Sequence, residues 1–199
     1  MPSIDLPKTL AEITPVLERA IQTDRECFSS LVDTDLQLRM PYCGIACRSI
    51  QIYFDEKHGI DSQVGVNEKV PEKFIHTTLK VDEIVVDPTH GQFMEVIGLT
   101  HKTAVDYDIK HLYPNPKIAT FTATEGRKFA DDFTDHLLEV YPELPMPIQR
   151  GPLSPFAQKN LRRVFRNLWN IDNYTPHSYD APHFQRITRR VADQLIDEV

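Results

Sequence analysis

Cysteine is scarce in this chain, with three in 199 residues. A sparse, odd-numbered set cannot staple a small secreted scaffold, so it argues against a disulfide framework and for a reducing compartment. Long apolar runs are missing as well, and nothing in the sequence approaches the length needed to cross a bilayer as a helix. The opening residues, MPSIDLPKTLAEI, carry neither the basic flank nor the apolar block of a signal peptide. The expected location is therefore cytoplasmic, or outside the cell after export without a cleaved signal. Positive charge is in deficit, with 22 Lys and Arg against 29 Asp and Glu and a net charge of -7. That balance disfavours nucleic acid as the main partner. From residue 149 onward the sign reverses, with eight basic residues against five acidic ones. So small an excess over fifty residues reads as solvated helix faces docking on an acidic body rather than as a basic binding surface. There is no internal repeat.

What is present is ordinary globular material. A hydrophobic content of 41% suffices for one domain with a sizeable core. Leu10, Ile13, Leu17 and Ile21 recur at helical spacing over 7–22, although Pro15 within the pattern points to a start nearer 14. A short helical piece is expected at 24–32. Pro41 marks the start of a helix over 43–58, in which Ala46, Ile50 and Phe54 recur every four residues and Gly59 serves as C-cap. Residues 61–70 read as strand or loop, 73–87 as a β-hairpin and 118–122 as one more strand. Phe129, Phe133, Leu137 and Val140 line one face of a helix at 124–141. A stiff, proline-rich connection follows at 142–155, then helices near 155–169 and 182–198. Leu161, Val164, Phe165 and Leu168 line the first of these, and Ile187, Val191, Leu195 and Ile196 the second. The chain reads as a single α+β domain over 1–199. Residues 1–141 form the core, and 142–199 pack on it, or on a partner chain, with their arginines outward, covering part of the fold or rimming the active-site cleft rather than supplying catalytic groups.

The hairpin segment KFIHTTLKVDEIVVDPTHGQF poses the functional question, because His76 and Asp87 interrupt strands that should be apolar. They are eleven residues apart. With a two-residue loop at Val81-Asp82 they lie directly opposite; with the loop at Asp82-Glu83 they are diagonal neighbours. Both registers project them from the same face, where the carboxylate can fix the imidazole's tautomer and stabilise its charged form. Cys43 is the best nucleophile to join them. It opens a helix, where unsatisfied N–H groups and the dipole favour a thiolate and an adjacent imidazole would favour it further. Its amide N–H would supply part of an oxyanion hole.

A helix-opening Cys followed in order by a His and an Asp on successive strands resembles the transglutaminase-like and papain-like cysteine enzymes. IVVDPTHGQF in particular is similar to the Asp-Pro-Thr segment of bacterial members, which include glutamine deamidases. The likeness spans about residues 37–93. It implies a helix bearing the Cys packed on an antiparallel sheet, with Cys43 as nucleophile, His76 as general base and Asp87 as orienting carboxylate. Gln37, six residues before Cys43, matches the papain-type oxyanion glutamine in spacing. Thr77 and Thr78 stand where true transglutaminases carry aromatics after the His. The implied activity is acyl transfer through a thioester. Its expected substrate is a glutamine side chain of a protein or peptide, with peptide-bond hydrolysis as the alternative and no cofactor or metal.

Plainer readings compete with each assignment. Cys43 could be a helix-start hydrophobe, and the fold a binding module with an inert thiol. Cys47 lies one turn deeper, where packed core is expected, and Cys27 reads as structural. Asp87 before Pro88-Thr89 also fits an Asx turn. His90 could replace His76 as base from a less pre-positioned loop site, and His58 beside Gly59 is the ordinary cation of a helix C-terminus. Cys43 and Cys47 with His76 and Asp87 or His90 could hold zinc, although C-x3-C on one helix is an uncommon clamp. The oligomeric state is open.

Overall fold

The computed structural model describes residues 4–23, 42–66, 76–91, 117–140, 162–163, 165–166, 169, 175–176 and 182–199. The expected helix at 24–32, Gln37, Pro41 and the proline-rich connection lie outside them. So do Cys27, Leu161, Val164, Leu168 and the side chains of Leu137 and Val140.

Helix α1 runs without interruption over Leu6–Thr23. The expectation that it starts near 14 is thus corrected. Asp5 opens it, its side chain accepting from the Lys8 N–H at 3.2 Å and its carbonyl from the Thr9 N–H at 2.9 Å. Pro15 forfeits one intrahelical bond, and the burial of Leu10, Ile13, Leu17 and Ile21 along one stripe outweighs that loss. Helix α2 spans Tyr42–Tyr53 and continues as a π-helical turn, Phe54–His58. Gly59 ends it at φ 61°, its N–H returning to the Asp55 carbonyl. His58 does more than face the helix terminus, since its Nε2 lies 3.1 Å from the Tyr53 hydroxyl.

Among the described residues five antiparallel strands follow: β1 Gln63–Val66, β2 Thr77–Val81, β3 Ile84–Asp87, β4 Ala119–Phe121 and the two-residue β5 Thr175–Pro176. Their order in the sheet is β4-β3-β2-β1-β5. In the hairpin Leu79 pairs with Val86 and Val81 with Ile84, so the turn is Asp82-Glu83 and Asp82 takes a left-handed φ of 50°. Period-two alternation then divides the strands. Leu79, Val81 and Val86 join α1, α2 and helix α4 (Pro182–Glu198) in the main core. Val85 and Phe121 are buried outside that cluster, as are Phe133, Phe165 and Trp169.

Helix α3 spans Ala123–Val140. Thr122 and Glu125 form a reciprocal capping box: the Thr122 N–H donates to Glu125 Oε2 at 2.9 Å and the Glu125 N–H to Thr122 Oγ1 at 3.4 Å. The T-x-x-E signal was available in the sequence. Beyond the connection, 162–163 and 165–166 are helical. Arg166 grips Asp131 of α3 through both carboxylate oxygens, at 2.6 and 2.7 Å. Helix α4 lies across α1 and α2, burying Phe184, Ile187, Val191 and Leu195. Ser49 Oγ donates to the Thr188 carbonyl at 3.0 Å and Lys57 Nζ to that of Ile196 at 3.0 Å. Arg189 pairs with Glu56, and Arg19 with Glu198. The chain is α+β; its C-terminal helix packs against α1 and α2, and Arg186, Arg189 and Arg190 on that helix are exposed. Among the described residues no helix is long and apolar enough to cross a membrane.

Candidate active site

Cys43 is the second residue of α2, where the first-turn N–H groups lack intrahelical partners. Its side chain is 6% exposed. The N–H of Thr77, at the start of β2, donates to Cys43 Sγ at 3.4 Å. His76 lies immediately before that strand, and its interaction with the thiol is the main influence that lowers Cys43 against its burial. His76 Nε2 meets Asp87 Oδ2 at 2.9 Å. In the observed register His76 and Asp87 are diagonal neighbours, one of the two arrangements the sequence allowed.

Asp87, the last residue of β3, is fully enclosed and holds a dense set of donors. Trp169 Nε1 donates to Oδ2 at 2.8 Å, and the Thr89 N–H to Oδ1 at 3.1 Å. The second bond is the Asx turn that the Asp-Pro-Thr order predicts, and here it also orients the carboxylate. Trp169 was missed. It belongs to the region expected to cover the fold or rim the cleft, and it reaches the innermost acid of the site. A single Trp in the chain was the one available signal, because a buried indole N–H needs a partner.

The electrostatics follow from this enclosure. Burial pushes the Cys43 thiol up, but the hydrogen bond and charge of His76, joined by the Thr77 N–H, outweigh it and leave the thiol below its ordinary value. Burial pulls His76 down, and the charge and hydrogen bond of Asp87, with those of Cys43, overcome it, so that His76 is pushed up to about 10. Asp87 resists its own burial through the charge and hydrogen bond of His76, the charge of His90 and the Trp169 N–H, and stays below the usual carboxylate range. The favoured state is a thiolate–imidazolium pair backed by a carboxylate. Such a state can attack a carbonyl carbon and hand a proton to a leaving amine.

The competing residues are placed elsewhere. Cys47 is completely buried, its thiol donates to the Thr77 carbonyl at 3.3 Å, and burial holds it well above an ordinary thiol. His90 Nδ1 stands 3.9 Å from Asp87 Oδ2, its ring packed against Phe121, Phe129 and Trp169. Burial, the largest influence, keeps His90 below its ordinary value. The groups that shift the Cys43 thiol are His76 and Thr77, and His90 is not among them. Among the described residues no group of three or more His, Cys, Asp or Glu is arranged to hold a metal ion.

The approach of Trp169 depends on Gly126 in the first turn of α3. A Cβ there would stand 2.7 Å from the Trp169 carbonyl oxygen and 2.9 Å from its Cβ. Gly126→Ala should displace Trp169 from Asp87 and cost about 1–3 kcal/mol of stability in denaturant melts. Emission from the chain's single Trp should shift at the same time. Unchanged emission and stability would show that the approach is not as tight as these distances require. Comparison with known protein families, with curated proteins and with solved structures finds no match to this chain.

Proposed function

We propose that this chain is a cysteine-dependent acyl-transfer enzyme on a transglutaminase-like and papain-like core, acting on a glutamine side chain of a protein or peptide. The observation that carries the reading is the continuous buried chain from Cys43 through His76 to Asp87, closed by Trp169. A Cys-bearing helix packed on an antiparallel sheet is also what the resemblance implies. The choice of glutamine rests on the resemblance alone.

In this mechanism the Cys43 thiolate adds to the carboxamide carbon, and the Cys43 N–H faces the developing oxyanion. The C–N bond breaks as the His76 imidazolium passes its proton to the departing ammonia, leaving an acyl-thioester. Neutral His76 then takes a proton from water or from an amine, whose oxygen or nitrogen attacks the thioester carbon. The C–S bond breaks, returning the Cys43 thiolate beside the reprotonated imidazole and releasing acid or new amide. Asp87 stays ionised and holds the imidazole's orientation. Hydrolysis of a peptide bond would use the same steps with a different leaving amine.

The test is selective alkylation. At mildly acidic pH, iodoacetamide should modify Cys43 well before Cys27 or Cys47, as read by peptide mass analysis. Wild type incubated with a cell extract should convert glutamine to glutamate in a specific protein, and Cys43→Ala should not. Alkylation of Cys43 no faster than of the other two thiols would leave a binding module with an inert cysteine.

A further inference from the structure

Residue Thr77 is held between two thiols of one helix. Its N–H donates to Cys43 Sγ at 3.4 Å, and its carbonyl accepts from the Cys47 thiol at 3.3 Å. Cys43 and Cys47 are one turn apart on α2, so they share a helix face and reach the same stretch of strand. We propose that Cys47 is a positioning residue: it anchors the Thr77 backbone against α2 so that the Thr77 N–H stays aimed at the nucleophilic sulfur.

The chemistry suits an anchor and not a second nucleophile. Cys47 is completely buried, and its S–H must remain protonated to donate. Burial together with the negative charges of Cys43 and Asp87 keeps it so. The bond from Thr77 is one of the contacts that hold the Cys43 thiol below its ordinary value. A peptide N–H contributes fully to a thiolate only at short range and good alignment. Where the strand can slide away from the helix, that contribution falls and the sulfur reverts towards a thiol. The titratable groups facing Cys43 are His76 and Cys47, with Asp87 behind His76 and His90 beside Asp87.

The proposal rests on the thiolate reading above, and its test is independent of any substrate. The rate of Cys43 alkylation by iodoacetamide is followed against pH in wild type, Cys47→Val, which keeps an apolar side chain but has no donor, and Cys47→Ser, which restores one. Melting curves establish that each variant is folded, and Cys47→Ala replaces the Val variant if the branched side chain prevents folding. Without the donor the alkylation midpoint should rise, lowering the rate at mildly acidic pH about tenfold, and Ser should return it to the wild-type position. A folded Val or Ala variant with the wild-type midpoint overturns the proposal, and so does a folded Ser variant whose midpoint is raised. A wild-type midpoint at the value of an ordinary thiol would instead overturn the thiolate reading itself.

Discussion

Asp87→Asn should abolish turnover and, separately, unsettle the fold. The substitution preserves shape and removes charge. Asn can still accept from Thr89 through one oxygen, but its amide group then faces His76 Nε2 and the Trp169 N–H, both held by Oδ2 in the wild type. Without the carboxylate, burial governs His76 and favours its neutral form. Cys43 then loses the charge that outweighs its own burial. A fall of about 10⁴-fold in rate is expected, the scale seen when an orienting carboxylate becomes an amide. Stability should drop by about 3–5 kcal/mol, as when one partner of a buried charged pair is removed.

The pH dependence of stability provides an internal check. His76 is raised from 6.5 to about 10 in the folded chain, so its contribution is complete below pH 6.5 and is lost as pH rises through about 10. Asp87 is lowered from 3.8, so its contribution is present above that value and is lost as pH falls further. Cys43, held below 9.0 by the same imidazole, contributes the opposite slope up to that value and offsets the His76 loss there. Wild type should thus lose stability as pH falls below 3.8 and as it rises from 9.0 through about 10, and Asp87→Asn should lose both slopes. An Asn variant with the wild-type pH profile would show that the pair is not charged in the folded state.

Removal of residues 149–199 should leave a product with no cooperative melt, strong binding of hydrophobic dyes and no activity. The deletion takes away Phe165, Trp169, Phe184, Ile187, Val191 and Leu195, all of them buried. At roughly 1.5–3 kcal/mol for each large apolar side chain, their loss matches or exceeds the net stability of about 5–15 kcal/mol that a domain has. It also strips the Trp169 N–H from Asp87 and the α4 face from α1 and α2. A truncated chain that stays monomeric, melts cooperatively and keeps full activity would make the C-terminal region a separate module.

The parts of this protein that were legible in its sequence are those whose signal is local. The stripe Leu10, Ile13, Leu17 and Ile21, the Cys43 helix with its Gly59 cap, the strand near 120 and the α4 face all follow from periodicity and end residues. These act within a few positions of one another. His76 and Asp87 were legible because a hairpin turns sequence separation into distance: either turn brought them together on one face. The turn was left to tertiary context, and pairing of Leu79 with Val86 selected Asp82-Glu83, which places Leu79 and Val81 in the core. Pro15 misled because its penalty is local while the burial that overrides it comes largely from α4, far along the chain. Trp169 and Cys47 lay beyond sequence reasoning for a different reason. Trp169 meets Asp87 across 82 residues, and Cys47 meets Thr77 across 30. A single hydrogen bond between such distant groups leaves no periodic trace in composition or spacing. Only packing α2, α3 and the Trp169 segment against the same sheet decides which donor arrives at the carboxylate and which peptide N–H faces the thiol.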